Sequence, residues 1–103
     1  MICALTVRRL KPGTFEQFRE AFMKPLESSD RPDGLVRFAM VRNIDEADEV
    51  ICFGLFDGTA EELRASSEAA GRNEQQEAIA PFVESVGADG LYEVVEDISG
   101  ESG

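Results

Sequence analysis

Ile2-Cys3-Ala4-Leu5-Thr6-Val7 reads as a strand that is apolar on both faces. One parity carries Cys3, Leu5 and Val7; the other carries Ile2, Ala4 and Thr6. A sheet with one face in water alternates apolar and polar residues, and this stretch scarcely does. The stretch 50–56 repeats the pattern, with Ile51, Phe53 and Leu55 on one parity and Val50, Cys52, Gly54 and Phe56 on the other. Both faces of such a sheet need cover. In a chain of 103 residues the helices cover one face, and a second copy of the chain is the expected cover for the other.

Outward from these strands the element signals are regular. Lys11-Pro12-Gly13 is a turn, and Thr14 with Gln17 forms a capping-box pattern ahead of a helix whose apolar stripe is Phe15, Phe18, Ala21 and Phe22. Pro25 limits or kinks that helix, and residues 28–34 are the longest loop signal. A second strand is predicted over 35–43, and an acidic hairpin tip follows, with Asp45, Glu46, Asp48 and Glu49. Asp57-Gly58 turns the chain into a helix opened by Thr59 and Glu62. That helix is expected to fray near Ala70-Gly71, and Asn73 to cap a further one from Glu74. Pro81 either bends this last helix or opens a final short turn, and Gly87 ends it. A last strand is predicted over 91–98. The order β-α-β-β-α-β predicts an α+β, ferredoxin-like domain over 1–98 with a tail at 99–103. Its four-stranded antiparallel sheet would carry the helices on one face and pair its other face with a partner's in a dimeric α+β barrel.

Composition narrows the function. The net charge of −11 is uneven: residues 1–42 hold eight basic and five acidic groups, residues 43–103 two and sixteen. Such a surface repels nucleic acid. No apolar run reaches the length of a membrane span, and MICALTVRRL has no basic region ahead of its apolar stretch, so a cytoplasmic protein without membrane association is expected. The chain has no histidine, and Cys3 and Cys52 fit no metal spacing. Neither a metal site nor a nucleophilic triad is expected, and no glycine-rich phosphate cradle is present.

What remains is an apolar frame with a few polar groups. Phe15, Phe18 and Phe22 would face Phe38, Met40 and Phe53 across the helix–sheet junction, either as ordinary core or as walls for a flat aromatic ligand. Tyr92, the single phenol, serves either a ligand or an interface edge. Arg8, Arg37 and Arg42 lie within predicted strands. An arginine there either stabilises a developing enolate or phenolate, or pairs with the acidic half of a neighbouring copy. Tyr92 and Arg37 are the candidate catalytic pair. Asn43 is either a polar orienting group or a turn residue.

The chain resembles the antibiotic-biosynthesis-monooxygenase-like family of dimeric α+β barrels. The resemblance spans nearly the whole chain. It rests on Lys11-Pro12-Gly13-Thr14-Phe15-Glu16, on Pro32-Asp33-Gly34-Leu35, and on the run from Phe53 through Phe56-Asp57-Gly58-Thr59 to Leu63. It implies a small monooxygenase or isomerase, working without a cofactor on an aromatic or polyketide-like molecule. Phe56 stands where the family commonly has tryptophan, and Ala65-Ser66-Ser67 where it commonly has histidine, so the haem chemistry of some relatives has no axial donor here. The alternative is a non-catalytic dimer that binds a ligand or serves assembly.

Overall fold

A computed structural model of the chain describes residues 1–27, 34–69, 72–98 and 100. Strand β1 (Ile2–Leu10) leads into helix α1 (Phe15–Glu27), then β2 (Leu35–Arg42) and β3 (Glu49–Phe56). Helices α2 (Ala60–Ala69) and α3 (Arg72–Ile79) follow, then one 3-10 turn (Ala80–Phe82) and strand β4 (Val83–Glu93). The strands form a single antiparallel sheet in the order β2-β3-β1-β4. This is the ferredoxin-like fold the element order predicts. Among the described residues no helix is long and apolar enough to cross a membrane.

Register decides which residues meet the helices. Ile2 pairs with Phe56, Ala4 with Gly54, Thr6 with Cys52 and Arg8 with Val50. Phe38 and Met40 join the same side opposite Gly54 and Cys52. Over them, Phe18 and Phe22 from α1 and Ile79 from α3 close a buried cluster with Leu10, Val50 and Cys52. The spacing of Phe15, Phe18 and Phe22 puts their rings on one helix stripe, which is why α1 lies down on that face. The Gln75 side-chain amide donates to the Phe22 carbonyl at 2.7 Å and ties α3 to α1.

Turn chemistry holds the connections, in one case differently from expectation. Thr59 and Glu62 form the full capping box: the Thr59 hydroxyl accepts from Glu62 N–H at 3.1 Å, and Thr59 N–H donates to Glu62 Oε1 at 3.2 Å. Thr14 departs from that pattern. Its hydroxyl donates to the carbonyls of Lys11 at 2.7 Å and Phe82 at 3.3 Å, fastening the turn to the segment before β4. Asn43 is a turn residue, its Oδ1 accepting from Asp45 N–H at 2.8 Å and Glu46 N–H at 3.2 Å.

The largest correction concerns β4, which occupies 83–93 rather than 91–98. Helix α3 begins at Arg72, so Asn73 lies in its first turn, and α1 continues past Pro25 to Glu27. Pro81 sits in the 3-10 turn that ends the helical region. Gly87 ends no helix; it falls at a register shift where β4 bulges against Val7 and Arg8. Residues 94–98 carry no strand, although Val94 N–H still bonds Met1 O at 3.1 Å. The predicted loop over 28–33, the Ala70-Gly71 fray, Ser99 and residues 101–103 lie outside the described residues.

Gly34 is the glycine most tightly held. It has φ +82°, and a Cβ there would stand 2.6 Å from the Asp57 carbonyl oxygen. Its own carbonyl accepts the Asp57 N–H at 2.9 Å. Gly13 shares the left-handed conformation at φ +76° but has nothing within 4 Å of the Cβ position. Gly34→Ala is therefore expected to cost more than about 2 kcal/mol, and Gly13→Ala about 1 kcal/mol. Urea unfolding of the two variants checks the difference.

Candidate functional site

Exposure along β1 and β3 locates the site. β3 alternates without exception, with Val50, Cys52, Gly54 and Phe56 buried on the helix side and the other parity half-buried. β1 does not alternate in this way. On its helix side Leu10 and Arg8 are buried, but Thr6, Ala4 and Ile2 remain half-buried, the same class as Cys3, Leu5 and Val7 on the uncovered side. β1 is flanked by β3 and β4, so this residual exposure opens through the side-chain face. The helical layer thus seals one end of β1 and leaves a half-open strip over Thr6 and Ala4.

Arg8 stands at the closed end of that strip and is 3% exposed. Its guanidinium carbon lies 5.9 Å from the Phe18 ring centroid and 5.5 Å from that of Phe22. Nη2 donates to Gln76 Oε1 on α3 at 3.5 Å. Phe22 in turn stacks on Phe38 with centroids 5.5 Å apart. Two aromatic faces offer a buried cation quadrupole attraction worth about 2 kcal/mol when desolvated. The Cys52 thiol is an ionisable group beside it. Burial pushes that thiol up to about 11, against the charge and hydrogen bond of Arg8, which pull it down. Desolvation prevails, so the thiol is neutral at physiological pH.

Register adds two further polar groups. Thr6 pairs with Asp89 on β4, so both side chains share the helix side with Arg8. Asp89 is exposed, at the outer lip of the strip, whereas Arg8 is at its depth. A strand starting at Leu91 excludes Asp89, and Ala88-Asp89-Gly90 reads as turn chemistry; only the pairing to β1 brings it into the site.

The structure brings together some of the expected residues and separates others. Phe18, Phe22, Phe38 and Met40 gather around Arg8 and Cys52. Phe53 does not join them, because it pairs with Leu5 and Ala39 on the uncovered face. Tyr92 and Arg37 also belong to that face, in one row of partners that runs Arg37, Leu55, Cys3, Tyr92. Three strand spacings separate its ends, about 14 Å, so the two side chains are not a pair within one chain. Arg42 lies with its guanidinium carbon 4.3 Å from the Phe15 ring centroid. Of the four strand arginines, Arg8, Arg9, Arg37 and Arg42, only Arg8 is buried.

Solved structures share this frame. One from Nitrosomonas europaea, named an antibiotic biosynthesis monooxygenase, superposes with a TM-score of 0.77 at 20% identity, covering 93% of this chain and 100% of its own. One of the same name from Deinococcus radiodurans gives 0.79 at 12% identity, covering 99% and 100%. SnoaB from Streptomyces nogalater, a cofactor-independent oxygenase, gives 0.77 at 14% identity, covering 94% and 95%. The chain has the antibiotic biosynthesis monooxygenase fold. No family model and no curated protein sequence matches it, so the likeness is one of fold, carried by a sequence that has diverged from these structures at most positions.

Cys52 gives a signed pH test. The folded thiol keeps its proton to higher pH than an unfolded one, so its contribution is neutral at pH 7 and turns destabilising above the unfolded value. Between pH 9 and about 11 the wild type is expected to lose roughly 2 kcal/mol more stability than Cys52→Ala. Denaturant titrations of both proteins across that window measure the difference.

Proposed function

We propose that the chain is a small cofactor-independent monooxygenase or isomerase acting on an aromatic or polyketide-like molecule, bound on the helix side of the sheet. The observation that carries this reading is the buried Arg8 at the closed end of the half-open strip, ringed by Phe18 and Phe22. A cation held in an apolar, aromatic surround attracts the negative charge that develops when a phenol or an activated ketone loses a proton. The shared fold with a cofactor-independent oxygenase supports the reaction class. In this reading Arg8, rather than Arg37 or Tyr92, is the polar contact to substrate. Phe18, Phe22, Phe38 and Met40 back that contact.

The uncovered sheet face is proposed as the contact with a second copy of the chain. It presents Leu5, Val7, Ile51, Phe53 and Leu55, which a lone soluble chain does not leave in water. Arg37 and Tyr92, 48% exposed, then serve the rim of that contact. Cys3 and Cys52 are free thiols on opposite faces of the sheet and cannot bridge, which suits the reducing cytoplasm. A second reading, a dimer without catalysis, draws on the full burial of Phe18, the signature of core rather than pocket wall.

Two measurements test the proposals. The purified protein, free of added cofactor, is expected to speed oxygen uptake or isomerisation for at least one member of a panel of phenols and anthrone-type ketones. Rates equal to buffer across the panel move the assignment to the non-catalytic dimer. Light scattering at micromolar concentration is expected to give twice the chain mass. Phe53→Glu should raise the dissociation constant by about 100-fold or more while the helical circular dichroism persists. A folded wild-type monomer under those conditions would refute the face-to-face contact.

A further inference from the structure

We propose that two copies of the chain meet about a two-fold axis running parallel to the strands between β1 and β3. Arg9 of each copy then lies over Glu49 of the other, and Arg37 of each over Tyr92 of the other. This rests on the face-to-face contact proposed above and adds its axis and its polar partners. On the uncovered face the register sets residues in rows across the sheet. The row at one end runs Arg37, Leu55, Cys3, Tyr92, and the row at the other end carries Glu49 beside Arg9. Between them lie the apolar rows of Phe53 with Leu5 and Ile51 with Val7.

Two identical sheet faces packed with their strands aligned have two symmetric solutions, and the rows fare differently in each. An axis parallel to the strands keeps every row at its own level and reverses its order. Glu49 then falls over Arg9, Phe53 over Leu5, and Arg37 over Tyr92, each contact occurring twice. Arg9 and Glu49 are also cross-strand partners within each chain, so the four groups form a square of alternating sign. An axis across the strands exchanges the end rows instead. It sets Arg9 against Cys3 and Glu49 against Leu55, where neither charge gains an opposite one in return for its lost hydration. Charge complementarity selects the first axis.

The side chains are disposed for these contacts. Tyr92 leans back along β4, its hydroxyl 3.4 Å from the Cβ position of Gly90, so the ring lies over the strand. It is 48% exposed, and a guanidinium packs well on such a ring. Arg37 of the same chain is too far away to do so, which leaves the ring to Arg37 of the other copy. Aligned sheets pack about 10 Å apart and about 30° askew, a gap and an offset that arginine spans. At the opposite end, Arg9 Nη2 stands 3.2 Å from Glu46 Oε2, and Glu49 Oε1 accepts from Asn43 Nδ2 at 3.0 Å. A guanidinium and a carboxylate each keep further bonding positions beyond one such contact.

Two experiments test the axis. In the first, Arg9→Glu and Glu49→Arg proteins are mixed in equal amounts and the dimers are sorted by native mass spectrometry. Each variant alone sets like charges against each other across the axis and is expected to dimerise about 10-fold more weakly than wild type. In the mixed dimer both contacts are of opposite sign. About nine-tenths of dimers are then expected to be mixed, against about half for random pairing, and the excess should shrink as salt is raised. Like-charge neighbours within each chain persist in the mixed dimer, so the excess reads contact between copies alone. In the second, Tyr92 is the single tyrosine of a chain without tryptophan, so fluorescence reports on it directly. Arg37→Ala, at a concentration where light scattering gives a dimer, is expected to raise acrylamide quenching of that emission about twofold by uncovering the ring. This reading does not depend on the charge-reversed variants folding. Random mixing overturns the axis, as does quenching that Arg37→Ala leaves unchanged in a dimer. A folded wild-type monomer in light scattering overturns the face-to-face contact itself, and the axis with it.

Discussion

Phe18 has no exposed surface, and its seat against Leu10, Val50 and Ile79 fixes where the helical layer meets the sheet. Burying such a ring contributes roughly 2–3 kcal/mol, and the same contact anchors both α1 and the end of α3. The position of that seat matters more than its strength. It lies at the Leu10 and Val50 end of the central strands, so the helices crowd that end. With α1 anchored there, the opposite end of β1 keeps Thr6 and Ala4 half-exposed on the side the helices are meant to cover. A hydrophobic contact made for stability thereby leaves an opening in the same layer.

Arg8 sits next to that seat, and its presence there has a cost. Removing a guanidinium from water costs several kcal/mol, and an apolar residue of similar volume is often as stable or more so. Two phenylalanine faces and the Gln76 carbonyl oxygen offset part of the loss. The buried Cys52 thiol is subject to the same desolvation. Arg8 is close enough to bond the thiol and favour its thiolate, yet burial still carries the thiol up to about 11. Burial therefore outweighs the neighbouring charge in setting the state of the thiol.

The sequence reveals the strand interiors well and the strand edges poorly. The doubled apolar parity of 2–7 and 50–56 identifies the two central strands, which carry apolar residues on the helix side and on the uncovered face alike. Thr59 and Glu62 mark a helix start through a local reciprocal bond, and the structure contains that bond. β4 is an edge strand with two register shifts, and Gly87, Asp89 and Gly90 break its alternation until it reads as turn and loop. The misplacement of Phe53 has a different origin. Parity shows that it opposes Val50 and Cys52, but parity does not say which side faces helices, and the pairing of β3 with β2 is not written locally. The same limit hides Asp89, whose proximity to Thr6 and Arg8 exists only across strands.

Alternation on β1 interleaves two surfaces within nine residues. Cys3, Leu5 and Val7 point to the uncovered face, and Ala4, Thr6 and Arg8 to the helix side. A slip of one residue would turn Arg8 outward and Val7 inward, exchanging the polar groups of one surface for the apolar groups of the other. The backbone has strong reasons not to slip. Leu10 N–H bonds Asp48 O at 2.7 Å, Lys11 N–H bonds Phe82 O at 2.9 Å, and the Thr14 hydroxyl clasps the same turn. These bonds pin the C-terminal end of β1 to both neighbouring strands' approaches, while the Phe18 seat pins its helix side. The register that keeps Arg8 in the core is therefore the register that keeps Leu5 and Val7 on the opposite face. Evolution at one surface is constrained by the other through the backbone they share.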